Sequence, residues 1–209
     1  MRLNLSAAVF LAATASCVEA RAEPWLPDDP THSWYQHSAD LEVAVLHSGA
    51  VMTSMRIGEA ILFPEPFAET SLFVWAEAYG DAITKPPRWD SSQDPFEWDG
   101  DDWKLNVFGH GLFGSELYVR ARMCRASLPG AFVFAAASSV AWEYVFEGNA
   151  VRPSGLDLWY TPLAGMLLGE LRFVAWYGAQ TIEHPVVRQL LSVSMDPFGE
   201  LERVIGSPC

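Results

Sequence analysis

Apolar positions recur at helical spacing over most of the chain. From about Leu41 to Phe63, Val43, Leu46, Val51, Met55 and Ile61 mark roughly one face of a first helix. Pro64 and Pro66 end it, because proline has no N–H to give and restricts the residue before it. A second helix is predicted from about Phe67 to Ile83, stopping before Pro86 and Pro87. Residues 85–102 have no usable periodicity and read as a loop; Trp98 lies in its acidic part and Trp103 follows it. Loops of this length inside a compact domain are uncommon and sometimes functional.

A third helix is predicted from His110 or Gly111 to about Cys124, with Leu112, Leu117, Val119 and Met123 as its apolar members. Arg120, Arg122 and Arg125 crowd its C-terminal end, where cations suit the helix dipole. A fourth covers about Pro129 to Phe146. No charge occurs between Arg125 and Glu143, and Ala135, Ala136, Ala137, Ser138 and Ser139 fill the middle. Such a helix is buried, in a protein core or between membrane helices. A fifth begins at Ser154, where Ser154-Gly155-Leu156-Asp157 has the capping-box spacing. It runs through Pro162, where a kink is expected, to about Ile182. Gly165 and Gly169 are four apart and offer a flat strip for close packing. A short last helix is predicted over Pro185 to Val193, before Pro197, Gly199 and a loose tail. No segment shows strand alternation. The fold class is therefore all-α: one domain over residues 41–209, a bundle of five to six helices, with membrane association left open.

The amino terminus changes where such a bundle is expected. Arg2, an apolar stretch over residues 7–15 and the small residues of Ala20-Arg21-Ala22 form the pattern of a secretory signal over residues 1–22. Lipoprotein processing at Cys17, after Thr14-Ala15-Ser16, is the rival, although it lacks a Leu at −3; a fused membrane anchor is the third possibility. Residues 23–40, with Pro24, Pro27 and Pro30, read as an extended lead-in. Export to the periplasm or a periplasmic or outer-membrane surface is the expectation, with a membrane or an envelope protein as partner. The formal charge is −13 and would become −14 on cleavage, as Arg2, Arg21 and Glu19 leave. A chain this acidic lacks the basic face that nucleic acid requires. It is also repelled by anionic headgroups unless apolar contact outweighs the charge. Glu42, His47, Arg56 and Glu59 make the first helix too polar for a free span, whereas the fourth sits at the lower limit of spanning length. Nine tryptophans suit a membrane interface. On balance the sequence favours a soluble or peripheral bundle over an embedded one.

Cys124 and Cys209 either bridge, in an oxidising compartment, or stand as one buried and one tail thiol. Neither has metal-type spacing, and no cofactor motif is recognised. Glu143 and Glu147, four apart, are expected on one face of the fourth helix. His110, Arg122, Asp157 and Glu170 are their candidate partners from neighbouring helices. A carboxylate beside an imidazole suits acid–base catalysis with Glu143, Glu147 and His110, and the same set suits a divalent cation. It equally suits a structural network in which Arg122 neutralises a glutamate and Asp157 serves the Ser154 cap. Gly-x-Ser-x-Gly, His-Glu-x-x-His and P-loop motifs are all absent from the sequence.

Trp103-Lys104-Leu105-Asn106, His110, Gly114-Ser115, Tyr118, Arg122, Ser139, Trp142-Glu143-Tyr144, Glu147, Pro153-Ser154, Asp157-Leu158, Thr161-Pro162, Gly165 and Gly169-Glu170 come in a specific order and spacing. In this order the stretch from 103 to 170, with Asp196-Pro197-Phe198-Gly199 as a possible extension to 199, resembles a bacterial family known as domain of unknown function 3943. The resemblance implies a helical envelope protein and adds Asn106 and Ser154 to the candidate ligand or structural residues. It departs from the family where Gly111, rather than proline, follows His110, which leaves that first turn looser. The order His, Glu, Ser-x-x-Asp, Gly-x-x-x-Gly is remotely similar to VanZ-like membrane proteins.

Overall fold

The structure is a computed structural model, in which residues 41–205 are described. The expected signal and lead-in, Cys17 and Cys209 lie outside the described residues. Cys124 is disulfide-bonded. Among the described residues seven helices follow one another: α1 Leu41–Leu62, α2 Leu72–Thr84, α3 His110–Met123, α4 Leu128–Ala141, α5 Asp157–Ala179, α6 Pro185–Met195 and α7 Pro197–Ile205. A helical turn, Pro64–Phe67, separates α1 from α2. Among the described residues the only β-type pairing is a bridge between Arg88 and Ser154. The chain is all-α, as its periodicity predicts.

Three elements are additions to the expectation. α7 occupies what reads as a loose tail, because Asp196 caps it: its Oδ1 accepts from Gly199 N (3.0 Å) with Pro197 in the first turn. A Cβ on Gly199 would run into the Asp196 carboxylate, so glycine is needed there for close approach. In addition, π-helical turns lead into α3 (Leu105–Gly109) and out of α4 (Trp142–Phe146). In the second, Glu147 N donates to Trp142 O at 2.9 Å, five residues back.

α3 is the central helix and packs chiefly on α5 and α4. Its side chains from Phe113 to Arg122 are all buried. The α3–α5 approach is close because glycines meet: a Cβ on Gly165 would sit 2.6 Å from Gly114 O, and one on Gly169 would sit 2.7 Å from Tyr118 Cδ1. The Gly165/Gly169 strip is thus a packing surface. Ala131 and Ala135 bring α4 against the cluster of Phe113, Leu117, Tyr118 and Trp142.

Charged side chains tie the remaining helices to this body. Arg122, buried on α3, pairs with Glu170 of α5 (2.8 Å) and not with Glu143 or Glu147. Arg120 bonds Asp196 (2.9 Å) and Glu202 (2.9 Å), and Arg172 bonds Glu116 (2.6 Å). His47 of α1 stands between Glu202 (Nδ1, 2.6 Å) and Glu116 (Nε2, 3.2 Å). Both ring nitrogens face carboxylates, the surroundings that suit an imidazolium. Burial draws its pKa down, but hydrogen bonds to Glu116 and Glu202 outweigh burial and the Arg120 charge, leaving it above the ordinary value of 6.5. A raised folded pKa means the contribution is complete below the unfolded pKa and is lost as pH rises through the folded one. Denaturation of the parent and of His47→Gln should therefore show a stability gap that is largest at about pH 6 and shrinks at higher pH. A gap independent of pH would contradict an imidazolium at this position.

Candidate functional site

The end of the bundle where α3 and α5 begin and α4 finishes holds a second polar centre. Ser154 organises it. Its Oγ accepts from Asp157 N (3.1 Å), which starts α5, and donates to Asp99 Oδ2 (2.6 Å). Its backbone N–H donates to Glu143 Oε2 (2.6 Å). One serine thus fixes a glutamate on α4's π turn, the first residue of α5 and an aspartate of the long loop. The loop is held against it by Arg88 N to Pro153 O (2.7 Å) and Gly155 N to Arg88 O (2.9 Å).

Asp99 also accepts from Asn106 Nδ2 (2.8 Å) and from Asp101 N (3.1 Å). Burial works to raise its pKa, but the bonds from Ser154, Asp101 N–H and Asn106, with Arg88 nearby, hold the carboxyl below its ordinary range. Asp99 is the charged member of the centre. Asn106, wholly buried in the first π turn, spends its remaining N–H on Phe96 O (2.7 Å).

His110 begins α3 one turn after Asn106. Its Nδ1 lies 3.2 Å from Thr161 Oγ1 and its Nε2 lies 3.5 Å from Asp157 Oδ2. One ligand-type atom each from His110, Glu143 and Asp157 lie within 4.8 Å of one another. Glu143 and Asp157 are 1% and 2% exposed, and Glu143 Oε1 and Asp157 Oδ1 have no hydrogen-bond partner. A bare buried carboxylate is costly, so these two require a proton or a cation. Arg88, the nearby guanidinium, is committed to Asp101 (3.0 Å) and Arg152 O (2.9 Å).

The structure therefore brings together His110, Glu143, Asp157, Ser154 and Asn106. Glu147 lies at the edge of this group. It follows the π turn that carries Glu143, faces Glu59 of α1, and stays close enough to Glu143 and Asp157 for their charges to act on it. Arg122 and Glu170 belong to the separate ion pair between α3 and α5. Asp99 is the member that sequence reasoning missed. It lies in a loop without periodicity, and its only signal is the acidic stretch around Trp98.

Residues 95–198 match the model of a protein family described as "Domain of unknown function (DUF3943)". They form a domain of that family. The domain contains every residue of the His110 centre, Asp99 included, whereas His47, Glu59 and Glu202 fall outside the matched stretch. No curated protein and no solved structure matches the chain.

Proposed function

We propose that the chain is an exported envelope protein whose central helices are set in lipid, with its polar groups turned inward to fix how the helices pack. One observation carries this reading. Between Leu105 and Ala179 every exposed residue is apolar or glycine. On α5 these are Trp159, Leu163, Leu167, Leu171, Val174, Ala175 and Gly178; on α4 and its π turn they include Val133, Val140 and Val145; ahead of and on α3 they are Leu105, Phe108 and Leu112. Of the charges of the same stretch, Glu116, Arg120, Arg122, Glu143 and Asp157 are buried, and Arg125, Glu147, Arg152, Glu170 and Arg172 are half-buried. Water favours the reverse arrangement, since charged groups are solvated at the surface and apolar groups withdrawn from it. An apolar solvent favours this one.

Dimensions agree. The 23 residues of α5 rise about 34 Å, close to a hydrocarbon core of about 30 Å. Leu128–Phe146 is long and apolar enough to cross a membrane. The glycine-lined approach of α3 and α5 suits helices that associate by packing rather than by apolar burial. α1 is a different kind of helix: Glu42, Thr53 and Ser54 are exposed on it, so it belongs in water or a headgroup region. The amino-terminal signal pattern supports export.

The outward face of α5 gives the test. Leu167→Asp combined with Leu171→Asp places two charges on an outward face, the two residues being 71% and 64% exposed. A soluble bundle should tolerate the pair within about 0.5 kcal/mol each. A lipid-embedded one should lose most of its membrane-recovered protein, because a charge at mid-bilayer costs about 2.5–3.5 kcal/mol. Equal recovery of both proteins from the soluble fraction would contradict the proposal.

A further inference from the structure

We infer that His110, Glu143 and Asp157 form a binding site for a single divalent transition-metal ion of the Zn2+ class. The three residues come from three elements, yet one donor atom from each falls within 4.8 Å of the other two. A first-row ion binds nitrogen and oxygen donors at about 2.0–2.2 Å, which sets them about 3–3.5 Å apart. The triangle needs only a small closing movement of side chains.

The state of each donor supports a cation. Glu143 Oε1 and Asp157 Oδ1 are buried acceptors with no donor aimed at them. With its proton on Nδ1, His110 donates to Thr161 Oγ1 and turns the Nε2 lone pair toward Asp157 Oδ2. A lone pair facing a carboxylate oxygen is repulsive unless a positive centre lies between them. That tautomer, fixed by a hydroxyl on the far nitrogen, is how a metal-ligating histidine is usually oriented.

The surroundings fix the other ligands in the same manner. Ser154 N–H holds Glu143 by its second oxygen, Oε2, and so leaves Oε1 for the ion. Ser154 Oγ holds the backbone of Asp157, and Asp99 with Asn106 holds Ser154. Charge points the same way, since two carboxylates without a cation gain neutrality from a dication. One imidazole and two carboxylates suit Zn2+, Mn2+ or Fe2+ better than Ca2+ or Mg2+, which prefer all-oxygen shells. Three protein ligands leave one position for water.

The test uses the full chain, purified in detergent without chelator, then stripped and titrated. Zn2+ should bind at one equivalent and raise the unfolding temperature, and Mg2+ at the same concentration should leave it unchanged. His110→Ala and Glu143→Gln should each weaken Zn2+ binding at least tenfold, while Glu183→Gln, exposed beyond the far end of α5, leaves it unchanged. Co2+ keeps the test independent of whether variants fold. Added to the stripped parent, it should give visible absorption that saturates at one equivalent and is bleached by Zn2+. Binding unaltered by the His110 and Glu143 changes, or a parent that takes up neither Zn2+ nor Co2+, would overturn the assignment. Preference for Mg2+ over Zn2+ would remove His110 from the ligand set and overturn it equally.

Discussion

Asp196→Ala should destabilise the protein by about 3–5 kcal/mol, the cost of stripping one partner from a buried ion pair. Asp196 is wholly buried and holds three things at once. Its Oδ1 accepts from Arg120, itself 1% exposed, and from Gly199 N, and its Oδ2 accepts from Arg203 (3.0 Å). Without it, Arg120 retains Glu202 as its close carboxylate partner and α7 loses its cap. Asp196→Asn should cost less, because an amide oxygen still accepts from Gly199 N. Chemical denaturation of both variants checks this. Equal losses would mean that volume rather than hydrogen bonding and charge sets the effect. Native-state hydrogen exchange should show α7 opening first in the alanine variant.

Gly165→Leu should cost about 3 kcal/mol or more, at the upper end of overpacking effects. The neighbour of a Cβ at this site is backbone: Gly114 O at 2.6 Å and Gly114 Cα at 2.9 Å. Backbone cannot rotate aside as a side chain can, so α3 and α5 must separate. Separation pulls His110 from Thr161 and Arg122 from Glu170, contacts that cross the same interface. Gly178→Ala on the same helix is the control. A Cβ there meets nothing within 4 Å, and alanine should raise stability by up to about 1 kcal/mol. Thermal unfolding of the two variants in one detergent separates the effects of close approach from those of helix propensity.

The features legible in the sequence are those that act locally. Ser154 caps α5 because hydroxyl and amide are three residues apart. Gly165 and Gly169 form a strip because four residues return a helix to the same face. The α4 core helix is visible in its uncharged run. His110, Glu143 and Asp157 could be named because they are ionisable side chains on neighbouring, largely apolar helices, although nothing in their spacing shows that they meet. What escaped depends on long-range contact or on a hydrogen-bond slip without sequence signature. The π turn over Trp142–Phe146, which carries Glu143 and ends just before Glu147, has no signature in the spacing, although the two carboxylates stay close enough for their charges to interact. Glu116, Arg120, His47 and Glu202 form one network across helices separated by up to 155 positions. Asp196 reads as the start of a tail until Gly199 and Arg120 are seen on its oxygens. The exposed apolar faces were hidden for the same reason: helical periodicity shows that a stripe exists, and the packing shows that on α5 the charged side of the helix is the buried one.

The central claim, that lipid covers the outward faces of α3, α4 and α5, is tested most directly by fractionating cells that make the full chain and washing their membranes at high pH. The account predicts that the protein stays in the pellet through the wash and is released only by detergent. Release into the wash would contradict it and would leave the apolar faces to be covered by a protein partner.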